Sequence, residues 1–363
     1  MPSFSYLYTV QLLLILSIAS VIVRQYKYEK ITPKALGDHG FPLKEEWSLC
    51  IGDKIQEIST DGNQIIIVKT NKELSAYDLV SGDLIWITPL KNQVESFPAI
   101  TAGRRVFVSD NENLWAFDLI TGKILWKNPL EDNVKTWISD ASDKFVLLNS
   151  ISDRVFVFDA KSGKRLWETQ GARGWTQAHI YGEKVFIVDY GVKAFDATTG
   201  RLLWELSNNS TTTGLSVMGN EILYFMEFPD SEGFDLVAYN TTIEKELWRR
   251  SFVDNSPKRL YVYDDVLFLP QNNALYQLNT KTGEINWIKQ FSDPTNLSVI
   301  DGSIYVLEQF NRIIHVLNIK SGEELGSLQV STPRVLGTET QEMISTETSL
   351  VFSRGCEIFV YRN

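Results

Sequence analysis

The chain has 363 residues, of which 44% are hydrophobic and 22% charged, a balance that predicts a folded protein rather than a disordered one. Its formal net charge is -10, so its surface should repel phosphates, and nucleic acid is not expected as a partner. The two cysteines and three histidines show no spacing typical of metal ligands, so no structural metal site is predicted.

The first predicted element is an apolar segment. Residues 4–23 carry no charge, and a helix of that length would span roughly 30 Å, about the thickness of the hydrocarbon core of a bilayer. We therefore predict an N-terminal hydrophobic helix, with residues 1–23 acting as a transmembrane anchor or a signal segment. Cleavage after Ala19 is the alternative, because Ser17 and Ala19 form a small-x-small pattern. The lack of Lys or Arg before the run favours the anchor.

A polar linker is predicted over residues 24–43. It contains Pro33 and Gly37, and three basic residues (Arg24, Lys27 and Lys30) lie next to the apolar run. By the positive-inside rule these charges would hold this side of the membrane in the cytoplasm. These charges alone therefore favour a cytoplasmic propeller, and the sidedness is left open at this point.

An eleven-residue pattern then recurs along the chain. AYDLVSGDLIW begins at Ala76, AFDLITGKILW at Ala116, VFDAKSGKRLW at Val157 and AFDATTGRLLW at Ala194, and weaker copies begin at Ala238, Gln277 and Val316. From Trp86 onwards, the last positions of successive copies are 40, 41, 37, 44, 39 and 39 residues apart. A period near 40 residues is typical of the four-stranded blade of a β-propeller.

Each copy predicts a strand, a turn and a returning strand. The Asp or Asn can bond backbone amides two residues on, and Gly supplies a positive φ. The returning strand is expected to end at the Trp, whose ring would wedge between neighbouring blades and contribute about 1.5–3 kcal/mol by burial. The predicted blade-interface residues are Trp47, Trp86, Trp126, Trp167, Trp204, Trp248 and Trp287.

The number of blades follows from the two ends. Residues 45–49 resemble a returning strand without a partner before it, and 350–353 and 357–361 resemble two strands whose returning strand is missing. These parts complete each other in an eighth blade, which removes open sheet edges. The prediction is an all-β protein with an eight-bladed β-propeller of four-stranded blades over residues 44–363.

The motif resembles AxDxxTGxxxW, the blade motif of the PQQ-like (quinoprotein-type) repeat family, over residues 44–363. Two copies depart from it, with Glu244 in place of the Gly and Gly326 in place of the last Trp. The family contains quinone-dependent dehydrogenases and smaller propellers that act as scaffolds without a cofactor, similar to the outer-membrane-assembly propeller lipoprotein. Its members are usually exported, which implies a propeller on the extracytoplasmic side of the membrane.

The residues favour the scaffold branch. Dehydrogenases of the family carry adjacent cysteines and long inserted loops, whereas Cys50 and Cys356 are 306 positions apart here and the repeats leave no room for such loops. Residues 110–113 (DNEN) resemble calcium-ligand spacing but lack the Gly and distal Glu of an EF-hand loop, so they predict a tight hairpin. No catalytic, cofactor-binding or metal-binding residue is assigned, and no cofactor is expected.

Two tryptophans lie outside the interface register. Trp137 and Trp175 fall at or near the innermost strands of adjacent blades, with Arg173 and His179 close to Trp175. Aromatic and Arg side chains are frequent anchors of protein partners, so these four residues form the candidate partner-binding patch. The alternative is that both rings fill the channel or pack between blades.

The cysteines allow a second hypothesis. Cys50 falls on the strand that closes the eighth blade, and Cys356 falls at the start of the neighbouring strand, about two residues out of register. A disulfide between them would stabilise the closure in an oxidising compartment. Two buried thiols are the alternative.

These observations together predict a membrane-anchored, non-enzymatic propeller that acts as a protein-binding scaffold for an unidentified protein or peptide. The alternative is a relative of the quinone-dependent dehydrogenases, or a sensor that binds a small molecule or a carbohydrate.

Overall fold

The computed structural model describes residues 38–90, 99–110, 112–130, 135–171, 176–189, 191–207, 211–229, 233–253, 259–271, 273–292, 294–308, 312–330 and 341–362. The predicted apolar helix and most of the predicted linker lie outside these residues. The described strands form eight separate antiparallel sheets, which confirms the eight-bladed propeller.

The chain begins with β1 (Asp38–His39) and β2 (Lys44–Cys50) and then completes one blade after another. Blade 1 is β3 (Ile55–Thr60), β4 (Ile65–Thr70), β5 (Glu73–Asp78) and β6 (Leu84–Pro89). Blade 2 is β7 (Ile100–Ala102), β8 (Arg105–Asp110), β9 (Asn113–Asp118) and β10 (Ile124–Pro129). Blade 3 is β11 (Thr136–Ala141), β12 (Phe145–Ser150), β13 (Arg154–Asp159) and β14 (Arg165–Gln170). Blade 4 is β15 (Gln177–Tyr181), β16 (Lys184–Val188), β17 (Gly191–Asp196) and β18 (Leu202–Ser207).

The second half repeats the arrangement. Blade 5 is β19 (Thr211–Gly219), β20 (Ile222–Phe228), β21 (Phe234–Asn240) and β22 (Lys245–Phe252). Blade 6 is β23 (Tyr261–Tyr263), β24 (Val266–Gln271), β25 (Ala274–Asn279) and β26 (Ile285–Gln290). Blade 7 is β27 (Pro294–Ile300), β28 (Ser303–Glu308), β29 (Ile313–Asn318) and β30 (Glu324–Gln329). Blade 8 is β31 (Gln341–Ser345), β32 (Ser349–Arg354) and β33 (Glu357–Arg362), with β2 as its fourth strand.

The ring closes as predicted from its ends. Strand β2 pairs with β33 in antiparallel register from Lys44↔Arg362 to Cys50↔Glu357. The predicted linker, however, ends earlier than residue 43, because β1 adds a fifth, two-residue strand to the outer edge of blade 7. Phe41 and Leu43 are also buried in the propeller.

The two faces of the ring carry different connections. The motif face holds the turns between the first and second and between the third and fourth strands of each blade, such as residues 61–64 and 79–83. The crossing face holds the turns between the second and third strands and the crossings to the next blade, such as residues 71–72 and 51–54. These two names are used below.

The repeated glycines and tryptophans meet at the seams between blades. A Cβ built on Gly122 would lie 2.5 Å from ring carbons of Trp86, the Trp of the preceding blade. The Trp86 Nε1 donates a hydrogen bond of 2.8 Å to the Leu119 carbonyl in the same turn. The same ring-on-glycine contact joins Trp47 to Gly82, Trp126 to Gly163, Trp167 to Gly200, Trp248 to Gly283 and Trp287 to Gly322. The motif thus encodes the contact between blades as well as the turn.

Two seams between blades differ from the others, and both lie at copies whose sequence departs from the repeated motif. Glu244 takes the place of the turn glycine and adopts its left-handed conformation, with φ 53. At that seam the buried Nε1 of Trp204 has no hydrogen-bond partner within the described part of the chain. Gly326, which replaces the last Trp, faces a blade whose third and fourth strands come from opposite ends of the chain. Phe41 packs into this seam edge-on, with its ring centroid 5.9 Å from Tyr305 of blade 7 and 5.7 Å from Tyr361 of blade 8.

The prediction that the returning strand ends at the Trp was wrong. In β6 the strand starts at Leu84 and continues three residues past Trp86 to Pro89. The pairing passes from Tyr77↔Leu84 to Ala76↔Trp86, so the residue before the Trp forms a β-bulge. The same irregularity occurs in the other seven blades, and in blade 7 it precedes Gly326. A bulge increases the local twist and redirects side chains, which lets the Trp turn into the seam while the residue before it stays outside.

Candidate functional site

The central channel is lined by the first strand of every blade. These strands are β3, β7, β11, β15, β19, β23, β27 and β31. Because no strand of the described ranges pairs with their inner edge, their backbone amides need other acceptors. In four seams of the described ring, a side chain of one blade accepts a hydrogen bond from a backbone amide in, or just before, the first strand of the next blade.

Two of these acceptors are glutamates in the first and last blades. Glu342 of blade 8 accepts from the Ile58 amide of blade 1 through Oε2 at 2.7 Å. Glu57 of blade 1 accepts from the Ala99 amide, just before blade 2, through Oε2 at 3.0 Å. The two glutamates therefore tie together the seams on both sides of blade 1. This arrangement was missed at the sequence level because neither glutamate belongs to the repeated motif.

The other two acceptors lie in blades 3 and 4. Asp140 Oδ2 accepts from the Ile180 amide at 2.8 Å, and Gln177 Oε1 accepts from the Ser216 amide at 2.9 Å. Burial raises the pKa of Asp140 to about 6, since the hydrogen bonds from backbone amides offset only part of the desolvation. These side chains therefore join neighbouring blades by hydrogen bonds along the channel wall.

A lysine completes the group around the two glutamates. Lys69 on β4 pairs in register with Glu57 and is 0% exposed. Burial raises the pKa of Glu57 to about 8, with the charge of Glu342 as the second cause. Burial also raises the pKa of Glu342 to about 7 and lowers that of Lys69 to about 8. The charge of this group therefore changes near neutral pH, and the exposed Arg259 interacts with both glutamates.

The candidate partner-binding patch is only partly described. Trp137 is half-buried on β11, the first strand of blade 3, and pairs in register with Asn149. It lies near the crossing-face end of the channel, one residue after the strand begins. Trp175 and Arg173 lie outside the described residues.

His179, the fourth residue of the patch, takes part in the channel wall. It lies on β15, and its Nε2 is 2.8 Å from the Ser216 hydroxyl oxygen of blade 5. Burial lowers the pKa of His179 to about 4, so the ring is neutral at physiological pH. This contact gives His179 a position between blades 4 and 5.

The hairpin predicted at DNEN is confirmed by its two ends, since Asp110 at the end of β8 pairs with Asn113 at the start of β9. Asp110 Oδ1 accepts from the amides of Glu112 at 3.0 Å and Asn113 at 2.5 Å, and its Oδ2 accepts from Trp115 Nε1 at 3.1 Å. Trp115 packs against the core between blades 1 and 2. In the described residues, no group of three or more His, Cys, Asp or Glu side chains could hold a metal ion.

The two cysteines are joined by a disulfide, with their Cα atoms 5.0 Å apart. Cys50 is the last residue of β2 and pairs in register with Glu357, so Cys356 is one residue out of register rather than two. The bond connects the N-terminal strand to the C-terminal part of blade 8 at the crossing face.

Across the ranges that the structure covers, no helix is both long and apolar enough to span a membrane. The predicted anchor, residues 1–23, lies outside those ranges.

Comparison with models of protein families identifies the family of the repeat. The family model described as outer membrane protein assembly factor BamB matches residues 45–183, 121–228 and 188–363, which together cover the whole propeller. The chain belongs to this BamB family of PQQ-like repeat propellers. Among curated proteins, none matches its sequence.

Solved structures of the same fold are distant in sequence from this BamB-family chain. The structure of BamB from Moraxella catarrhalis matches with a TM-score of 0.66 at 17% identity, over 88% of this chain and 100% of that chain. The computationally designed Ika8 protein matches with a TM-score of 0.68 at 14% identity, over 90% of this chain and 100% of that chain. At these identities the likeness establishes the fold alone.

Proposed function

We propose that this BamB-family protein is a non-enzymatic scaffold, anchored to a membrane by residues 1–23, that holds a protein or peptide partner at the crossing-face mouth of its channel. The observation that carries the proposal is the position of Trp137. The repeated tryptophans are used in the seams between blades, whereas Trp137 lies half-buried at the channel mouth, outside that register. A large aromatic ring in such a position is a favoured anchor for a partner.

The family supports this assignment. The model that matches the propeller is described as an assembly factor for outer membrane proteins, which is a role carried out through protein contacts. The same resemblance supports a propeller on the extracytoplasmic side.

Partner capture tests the proposal directly. The full chain and a Trp137→Ala, Trp175→Ala double variant are crosslinked in native membranes, and the captured polypeptides are identified by mass spectrometry. We expect one or a few polypeptides to be captured by the unaltered chain and lost from the double variant. The matched control is Val80→Ser, Ile120→Ser, which removes two apolar side chains that are 55% and 47% exposed on the motif face. This control should retain the same partners, and retention by the double variant would contradict the proposed surface.

Two further measurements separate the alternatives. Alkaline extraction of membranes should leave the chain with the lipid, because an intact apolar helix resists extraction whereas a cleaved signal segment releases the propeller. Adding pyrroloquinoline quinone and calcium should give neither a bound-cofactor spectrum nor dye reduction. Dye reduction at a rate that depends on both additions would favour the dehydrogenase alternative.

A further inference from the structure

The path of the chain into the propeller indicates how the ring is oriented on its anchor. Strand β30 runs from the motif face, where Glu324 follows the turn, to the crossing face, where Gln329 ends it. Strand β1 is antiparallel to β30, with Asp38 opposite Leu328 and His39 opposite Ser327. The chain therefore enters at the crossing-face end of blade 7 and runs towards the motif face.

The residues that follow β1 agree with this direction. A Cβ on Gly40 would lie 3.5 Å from the Leu325 carbonyl oxygen, close to the motif-face end of β30. Strand β2 then starts beside Arg362 at the motif face and returns to the crossing face at Cys50. The described chain thus fixes the end of the linker at the crossing-face rim of the ring.

The linker from this rim to the apolar segment is short. Residues 24–37 are 14 residues, which reach at most about 46–50 Å when fully extended, at 3.3–3.6 Å each. A six-residue strand is about 20 Å long, so an inverted ring would use close to half of that reach to run back along blade 7. With the crossing face towards the membrane, no part of the linker is used in this way.

We propose that the crossing face of the propeller looks towards the membrane, so that the channel mouth with Trp137 meets partners embedded in or bound to that membrane. The inference rests on the anchoring proposed above. It adds the class of partner to the proposed function, because a crossing face held close to the lipid by a short linker lies next to membrane proteins. The motif face then points away from the membrane.

Energy transfer to the lipid tests the orientation. The full chain is reconstituted in vesicles that contain acceptor-labelled headgroups, and one donor dye is attached to a single introduced cysteine under non-reducing conditions, which leave the native cysteines paired. One pair of positions lies in blade 5: Val253 on the crossing face, 91% exposed, and Ile243 on the motif face, 62% exposed. A second pair is Lys72 on the crossing face and Lys281 on the motif face, each with a side chain 71% exposed and paired to an aspartate.

We expect several-fold more efficient transfer from Val253→Cys and Lys72→Cys than from Ile243→Cys and Lys281→Cys. The comparison of Lys72 with Lys281 is the more demanding one. Lys281 is in blade 6, which adjoins blade 7, where the chain enters, so its place around the ring brings it close to the anchor and only its face should lower the transfer. Equal transfer from the two faces, or stronger transfer from the motif face, would overturn the orientation. Vesicle flotation is measured on the same samples, and a chain that does not float would instead overturn the anchoring and the orientation with it.

Discussion

At the scale of single residues, the turn glycines are constrained twice, by their backbone conformation and by the ring that lies on them. Gly122 has φ +65 and faces Trp86, whereas Gly182 has φ +60 and no atom within 4 Å of its would-be Cβ. At both positions a larger residue would have to adopt an unfavourable left-handed backbone conformation. At Gly122 its Cβ would also clash with the ring of Trp86.

Gly122→Ala should therefore destabilise the propeller more than Gly182→Ala. Each substitution costs about 1 kcal/mol for a left-handed non-glycine residue, and the clash with Trp86 adds about 1–3 kcal/mol. Unfolding in urea, followed by tryptophan fluorescence, measures both free energies. Equal losses in the two variants would show that the ring contact contributes nothing.

The unpartnered indole of Trp204 gives a second prediction at this scale. Trp167 donates to the Ala197 carbonyl at 2.7 Å, whereas Trp204, next to the atypical turn with Glu244, has a buried Nε1 with no acceptor among the described residues. Replacement by Phe removes the N–H in both cases. Trp167→Phe should thus cost about 1 kcal/mol more of unfolding free energy than Trp204→Phe. The same urea experiment compares them, and a smaller loss for Trp167→Phe would contradict the structure of that seam.

At the scale of elements, the closing strand β2 is the one held by a covalent bond. Strand β2 comes from the N-terminal end of the chain, whereas the other three strands of blade 8 come from the C-terminal end, and the disulfide between Cys50 and Cys356 joins the two parts. Such a bond lowers the conformational entropy of the unfolded chain, because it closes a loop of some 300 residues.

We expect the Cys50→Ala, Cys356→Ala double variant to lose about 2–5 kcal/mol of unfolding free energy. A reducing agent should lower the urea midpoint of the unaltered chain and leave that of the double variant unchanged. Mass spectrometry without reduction checks that the bond forms in the native compartment. Free thiols there, or a midpoint that reduction does not shift, would contradict the role of the bond.

The elements also show what the sequence can and cannot predict. The eleven-residue copies predicted the blades, and the unpaired ends predicted the eighth, because turn chemistry and spacing are local. The bulge before each Trp was missed, since alternation alone does not indicate it. Phe41 was assigned to the linker, because its role depends on the absence of a Trp at Gly326, almost 300 residues away.

The candidate site was less predictable for the same physical reason. Trp137 stood out because it breaks the repeat register. Glu57 and Glu342 carry no motif and meet only when the ring closes, since the bond from the Ile58 amide to Glu342 joins positions 284 residues apart. Bridges of this kind depend on the whole ring.

At the scale of the whole molecule, these bridges make ring stability depend on pH. Glu57 has its pKa raised by burial from 4.5 to about 8. Between these values the unfolded chain has lost the proton and the folded protein keeps it, so the unfolding free energy falls as the pH rises, by at most about 1.4 kcal/mol per pH unit for one group. Glu342, raised to about 7, acts in the same direction. The pKa of Lys69 is lowered to about 8, so Lys69 makes the unfolding free energy rise with pH, but only above pH 8.

Glu57→Gln should remove part of this loss, because the amide oxygen can still accept from Ala99 and carries no charge to bury. The unfolding free energy of the variant minus that of the unaltered chain should therefore grow from pH 5 to pH 7.5, in urea titrations at fixed ionic strength. Asp118→Asn is the control, since the hydroxyl of Thr121 holds the pKa of Asp118 below its ordinary range and confines its effect to more acidic conditions. Its curve should run parallel to that of the unaltered chain. A Glu57→Gln curve that is also parallel would mean that the glutamate pair is ionised in the folded ring throughout this range, and that the seams on both sides of blade 1 do not respond to pH.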